Sequence, residues 1–487
     1  MRRLVPAALL ALTAAGLATP AAAGADPTPG DPAYTARDAQ NIADAYGRIT
    51  GPGGQLQNPA YLPALVQAAT ATGVAQLLTQ VASPTRPAIT PGNVFPGWNV
   101  GNPLRAGWDG SRGVSRQVSF ENRYGALLRG TVYRPLDGAH DPYTGARLTP
   151  PYPGVVITEG SVQGSEGMYA WLAEDLAERG YVVLTYDVQG QGTSETLPHL
   201  DPPSGAPVGD PNALPFCNPF AAPEDGEVSG CPGVPSQQLS NFVVGTEDAL
   251  DFFTSRRNPF RRDLDLSPDP HPFTSGRTTR IAIIGHSMGA AAVSKVQGTD
   301  DRVATVVALD KLAGPGASGA LDGSGNVPTV PALAVQSEYG FTVSPWTLSG
   351  GSSLTPQPSP EGPDPHRERA TGYDAWRAAG VDSMLVVPRA STHLEYTDIP
   401  LVLPASRYGQ DLTSVYVQRW LDHYLKHAPA RPLLARTLRY LEPAGNAEWR
   451  PVRLDRDANL SFYYCSAYGF HAGRDLVTNG DIASVGC

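Results

Sequence analysis

Residues 280–293 run from an apolar stretch, Arg280-Ile281-Ala282-Ile283-Ile284, through Gly285-His286-Ser287-Met288-Gly289 into Ala290-Ala291-Ala292-Val293. A G-x-S-x-G between a strand and a helix demands a turn tight enough to hold the serine in a strained conformation at the end of a sheet. Glycine flanks it because a Cβ at either position would strike the neighbouring strand or helix. The helix that follows aims unpaired N–H groups and the positive end of its dipole at the serine. That environment suits a nucleophile whose reaction develops an oxyanion, so Ser287 is the candidate nucleophile. A serine with only a structural role in the turn is the alternative.

The surrounding segments extend the same pattern. Residues 114–121 and 127–133 flank Asn122-Arg123-Tyr124-Gly125 and read as an antiparallel hairpin. Short apolar strands are expected at 154–158, 181–186, 280–284, 303–309, 331–335 and 384–387, with helices at 168–179, 239–254, 288–296, 373–379 and 412–427. Strands alternating with helices imply an α/β fold: a mostly parallel sheet with helices on both faces, here with an antiparallel N-terminal edge. The catalytic unit is placed at 114–430, with Pro/Gly-rich insertions at 193–235 and 343–371. Residues 431–487 lose the alternation and read as a small C-terminal β appendix. Residues 24–113 read as a partly helical N-terminal extension. Within it, 24–41 are Pro/Asp/Ala-rich and expected to be loose. Leu62, Leu65, Val66, Ala69, Val74, Leu77, Leu78 and Val81 recur at helical spacing and predict one packed helix. The chain's 52 Gly and 48 Pro have no three-residue period, which excludes a collagen-like chain and assigns the excess to loops.

The start of the chain carries a compartment signal. Arg2-Arg3 precede an apolar run from Leu4 to about Leu17 and an A-x-A site at Ala21-Ala22-Ala23, so residues 1–23 read as a signal peptide and the protein as secreted. The run is too short for a transmembrane span, and no integral membrane segment is expected after cleavage. Four cysteines in an exported chain read as two disulfides; of the three pairings, Cys217–Cys231 and Cys465–Cys487 each close a short loop. No cysteine pair has C-x-x-C spacing, and Asp263, Asp265 and Asp269 lack the Gly and Glu of a calcium loop, so no metal or other cofactor is expected. A formal net charge of −10 without a dense basic run argues against a nucleic-acid partner.

A serine hydroxyl needs a base. His393 is the best placed histidine, in Ser391-Thr392-His393-Leu394 just past the strand at 384–387. His286 adjoins the nucleophile but points elsewhere from a sharp turn. The acid that orients the base is open between Asp310, which ends the strand at 303–309, and Glu338, which follows the strand at 331–335; Asp187 is a third carboxylate on that edge. Met288 supplies one oxyanion-hole N–H, and the Gly-rich loop after 154–158 supplies the second, at Ser161 in Gly160-Ser161-Val162. The insertion bearing Cys217 and Cys231 follows a strand that ends on this edge, the position of a partial lid.

With these residues in place, the chain resembles the α/β-hydrolase superfamily over roughly residues 114–428. Gly285-His286-Ser287-Met288-Gly289-Ala290, Ala308-Leu309-Asp310, Gln336-Ser337-Glu338-Tyr339, and His393 followed by Tyr396-Thr397-Asp398 are similar to the platelet-activating-factor acetylhydrolase family and to bacterial dienelactone-hydrolase-like esterases. The resemblance implies Asp310 as the acid and the Ser337-Glu338-Tyr339 segment as its structural neighbour. Where those acetylhydrolases carry His-Gly before the oxyanion donor, this chain has Glu159-Gly160, and the insertions lie outside the resemblance. Bacterial cutinase-like polyester hydrolases share the elbow but usually place an aromatic residue where Ser161 stands. The expectation is a secreted serine hydrolase acting on small-molecule or lipid esters. Acyl transfer or peptide hydrolysis by the same triad, and a non-catalytic exported binding module, are the alternatives.

Overall fold

The computed structural model describes residues 26–82, 100–161, 165–196, 238–273, 277, 279–315, 326–351, 355–399, 401 and 404–487. The leader, most of the first insertion and the Cys217–Cys231 pairing lie outside the described residues.

Twelve strands alternate with helices along the described chain. They are β1 (Gly113–Glu121), β2 (Leu127–Pro135), β3 (Gly154–Thr158), β4 (Val182–Tyr186), β5 (Ile281–His286), β6 (Thr305–Leu309), β7 (Ala332–Val335), β8 (Ser383–Val386), β9 (Thr437–Gly445), β10 (Glu448–Asp455), β11 (Ala467–Ala472) and β12 (Asp475–Asn479). The helices are α1 (Pro32–Asp44), α2 (Gly47–Thr50), α3 (Tyr61–Ala82), α4 (Ala170–Ala177), α5 (Leu239–Thr254), α6 (Met288–Thr299), α7 (Arg367–Ala370), α8 (Tyr373–Ala378) and α9 (Gly409–Lys426). Ten strands form one sheet in the order β1-β2-β4-β3-β5-β6-β7-β8-β11-β12. The run from β4 to β8 is parallel throughout, and β1 and β2 form the antiparallel N-terminal edge. This is an α/β fold built on a mostly parallel sheet.

Central strands such as β3, β5 and β6 are buried at every position, which is why they read as unbroken apolar runs. Alternate side chains still serve different layers. Ile283 faces Phe242, Phe253 and Val293 of α5 and α6, whereas Ala282 and Ile284 face Trp171 and Leu172 of α4 and Trp420 and Leu421 of α9. The elbow is therefore clamped between two apolar layers.

The C-terminal segment divides in a way its composition does not reveal. β9 and β10 make a separate antiparallel hairpin, but β11 and β12 join the main sheet beyond β8. Without β11, β8 would present an open edge of unpaired backbone groups. Cys465 and Cys487 are joined, with Cα atoms 6.4 Å apart, so the last residue is tied to the start of β11.

The N-terminal extension departs from expectation twice. Most of the stretch expected to be loose is α1, whose Tyr34, Asp38 and Asn41 are buried. Two of those three side chains are polar, so apolar periodicity could not announce the helix. α3 forms at the expected place, yet Leu62, Val66, Val74, Leu77, Leu78 and Val81 are exposed, Val81 at 81%. An apolar period marks a helix there without marking a buried face. Among the described residues no helix is long and apolar enough to cross a membrane.

Candidate active site

Ser287 joins β5 to α6 with φ 56° and ψ −119°, a left-handed backbone that a non-glycine residue adopts only under constraint. The constraint is visible on both sides. A Cβ on Gly285 would collide with the Gly289 carbonyl, and one on Gly289 with the carbonyl oxygens of Thr158 and Glu159 at the end of β3. α6 thus sits hard against the sheet and lifts Ser287 above the ends of the parallel strands.

His393 opens a one-turn 3₁₀ segment on the loop after β8. Its Nε2 lies 2.9 Å from Ser287 Oγ and its Nδ1 lies 2.6 Å from Asp310 Oδ2. Asp310 directly follows β6 with φ 45° and is 3% exposed. Its carboxylate also accepts from the Ser337 hydroxyl at 2.7 Å and the Ser337 N–H at 3.1 Å. Burial opposes the charge on Asp310, but the hydrogen bond and charge of His393, with Lys311 and Ser337 adding to them, hold the carboxyl well below its usual range.

Glu338 is also buried, but its partners differ. One carboxylate oxygen accepts from Asn41 and from the Ala390 N–H, and the other from the Ser461 hydroxyl. Burial, the largest influence, pushes its pKa up. Its segment runs beside the histidine loop: the Tyr339 N–H donates to the Ser391 carbonyl, and the His393 N–H to the Gly340 carbonyl at 2.7 Å. Asp187 accepts from the backbone N–H groups of Glu166 and Thr193 and holds loops together. Asp263, Asp265 and Asp269 pair with Arg134, Arg280 and His427.

Met288 heads α6, where the first N–H groups have no partner within the helix. The Gly160 N–H is engaged by the Tyr169 hydroxyl at 2.8 Å. Ser161 borders a cavity of about 230 Å³ with Ser287, His393, Phe341 and Tyr169. Glu159 turns away from the nucleophile: one of its oxygens accepts from the Val188 N–H and from Gln191, each at 2.8 Å. Burial, reinforced by Asp187, raises its pKa well above the usual carboxylate range.

A second cavity of about 350 Å³ also borders Phe341 and reaches Ser287, Asp310 and His393. Phe341, Trp346, Tyr463 and Tyr464 contribute rings to its wall, and the Phe341 ring centroid lies 4.1 Å from that of His393. A separate polar cavity of about 440 Å³ is lined by Gln55, Arg105, Asp411 and Glu442 and includes none of the Ser287, His393 or Asp310 side chains.

Ser337, singled out with Glu338 and Tyr339 as a neighbour of Asp310, does bond its carboxylate, whereas no motif points to Phe341, Tyr169, Asp38 and Asn41. Phe341 lies two residues past the singled-out Ser337-Glu338-Tyr339, and that proximity is its signal. The others carry no local motif. They reach the site through tertiary packing.

No family model matches the chain. An uncharacterized protein of Pseudomonas aeruginosa is 31% identical over 127 residues, 25% of this chain and 32% of that protein. The chain thus spans about a third of the length of the curated relative it matches. Among solved structures, a ferulic acid esterase from Streptomyces cinnamoneus aligns with a TM-score of 0.39 at 20% identity, covering 66% of this chain and 92% of that one.

Proposed function

We propose that this protein is an exported serine hydrolase that cleaves carboxylic esters through a Ser287–His393–Asp310 triad and an acyl-enzyme. One observation carries the reading: the line of hydrogen bonds from Ser287 Oγ through His393 to Asp310, at 2.9 and 2.6 Å, on a strained elbow that opens into a cleft. His393 Nε2 takes the hydroxyl proton as Ser287 attacks the acyl carbon, and Asp310 fixes the imidazole with its proton on Nδ1 and stabilises the imidazolium. The tetrahedral oxygen is held by the Met288 N–H and, since Gly160 is already engaged, by the Ser161 N–H. His393 then gives its proton to the departing alcohol, and water repeats the sequence to release the acid.

The ring-walled cleft of about 350 Å³ suits a small ester with an apolar acyl or alcohol group. No step draws on a cofactor. The export reading rests on the basic, apolar and A-x-A regions at residues 1–23. Ser287→Ala is expected to lower turnover of short p-nitrophenyl esters by on the order of 10⁴ with the fold retained, and to abolish labelling by a fluorophosphonate. Near-normal activity in that variant would remove the proposal.

A further inference from the structure

His286, the second residue of the elbow, is 2% exposed and takes no part in the proton transfers above. Its ring nitrogens nevertheless have partners on both sides. Nδ1 lies 2.8 Å from the Tyr169 hydroxyl, and Nε2 lies 2.8 Å from the carbonyl oxygen of His393. Tyr169, also 2% exposed, has a further contact: its oxygen is 2.8 Å from the backbone nitrogen of Gly160.

The chemistry of the two ends sets the direction of every bond. The Gly160 N–H can only donate, so the Tyr169 oxygen accepts it. The His393 carbonyl can only accept, so His286 carries a proton on Nε2. A neutral imidazole protonated there offers Nδ1 as an acceptor, and the Tyr169 O–H donates to it. Burial, and after it the neighbouring His393, hold the His286 pKa down to about 3, so the ring is neutral wherever an esterase would work. The result is one directed chain: Gly160 N–H to Tyr169, Tyr169 O–H to His286, His286 Nε2–H to the His393 carbonyl.

The two ends of this chain lie in the two segments that flank Ser287. Gly160 immediately precedes the Ser161 donor, and it packs so tightly on the elbow that a Cβ would lie 2.8 Å from His286 Nδ1 and 3.1 Å from the Ser287 Cβ. His393 is held through its N–H by the Gly340 carbonyl and through its own carbonyl by His286. Gly160 lies on a loop and His393 at the first residue of a single 3₁₀ turn, so neither position is set by the sheet or by a long helix.

We propose that Tyr169 and His286 are positioning residues, a buried relay that sets the oxyanion loop and the backbone of His393 in register around Ser287. The inference rests on reading Ser287, His393 and Asp310 as an ester-cleaving triad. Misplacement of a catalytic group by about 1 Å can lower a rate about 100-fold. Tyr169→Phe keeps the ring but removes the middle of the relay. Its kcat on p-nitrophenyl acetate is expected to fall about 10- to 100-fold, with KM within about three-fold of wild type. His286→Leu, which fills the space without hydrogen bonds, is expected to fall at least as far. His286→Gln, whose amide can both donate to the His393 carbonyl and accept from Tyr169, is expected to recover most of the rate. A packing role predicts the opposite: Tyr169→Phe neutral, and His286→Leu no worse than His286→Gln.

A measurement on the unaltered protein stands beside the variants. Imidazole ¹⁵N shifts of His286 are expected to report a neutral ring protonated on Nε2 from about pH 5 to 9. The Nδ1-protonated tautomer or an imidazolium in that range overturns the relay. Wild-type turnover and fluorophosphonate labelling with unchanged kcat in Tyr169→Phe overturn the relay and leave the triad standing. A wild type that neither turns over esters nor labels overturns the triad, and the relay with it.

Discussion

Asp310 and Glu338 follow adjacent parallel strands, and both are buried, yet they are distinguished by what donates to them. Asp310 faces His393, whereas Glu338 gathers Asn41, Ala390 and Ser461. Asp310→Asn is therefore expected to lower kcat/KM by on the order of 10³–10⁴, because an amide cannot hold the imidazole in its working tautomer. Glu338→Gln is expected to stay within about three-fold of wild-type activity while lowering the melting temperature. Steady-state kinetics and calorimetry on the pair would separate the roles; comparable kinetic losses would contradict them. Spacing alone left these two carboxylates as rivals, since both end strands on one edge. Ser287 and His393 were more legible because a motif or strand end marks each.

Glu395, two residues past His393, is expected to make stability depend on pH. Burial, partly offset by Arg48 and the Ser406 N–H, raises its carboxyl from 4.5 to about 7. Between those values the folded protein keeps a proton that the unfolded chain releases, so stability falls as pH rises through that window. The loss is complete above about pH 7 and amounts to roughly 3 kcal/mol. Glu395→Gln removes it. The variant is expected to melt near the wild type at pH 4.5 and several degrees above it at pH 8. Parallel melting curves across that range would exclude this account.

At the scale of elements, the strands and the elbow were legible because a parallel sheet covered on both faces leaves continuous apolar runs. The presence of α1 and the packing of α3, though not its helix, depart from the sequence pattern for complementary reasons. α1 buries Asp38 and Asn41, which no hydrophobic pattern displays, while α3 repeats apolar residues on a face that stands in solvent. The contact of α6 with β3 depends on Gly289, whose absent Cβ lets the helix approach the carbonyls of Thr158 and Glu159. Gly289→Ala is expected to destabilise the fold by about 1–3 kcal/mol, since backbone cannot yield as a side chain does. It should also reduce ester turnover, because the same contact aims the Met288 N–H. Unchanged melting temperature and rate would show that the elbow tolerates the methyl group.

At the scale of the molecule, the two ends of the described chain meet at the cleft. Asp38 of α1 accepts from the Tyr463 hydroxyl at 2.8 Å and the Trp346 N–H at 3.2 Å. Tyr34 packs on the rings of both Trp346 and Tyr463, and Asn41 and Ser461 converge on Glu338. One wall of the cleft is thus built from the N-terminal helix, the second insertion and the segment before β11, three regions that composition marks as peripheral. Their contacts are long-range and largely polar, so no local pattern foretells them. If that wall shapes the substrate site, its loss should act on binding before chemistry. Asp38→Ala leaves the Tyr463 hydroxyl and the Trp346 N–H without their acceptor, a cost of about 1–3 kcal/mol in stability. With Ser287, His393 and Asp310 untouched, the variant is expected to raise KM several-fold for a bulky apolar ester while kcat for p-nitrophenyl acetate stays within about three-fold of wild type. Deleting residues 26–45 should exaggerate the same asymmetry or leave the protein unfolded, which circular dichroism separates. Equal effects of Asp38→Ala on bulky and small esters would mean that the N-terminal helix supports the fold without shaping the cleft.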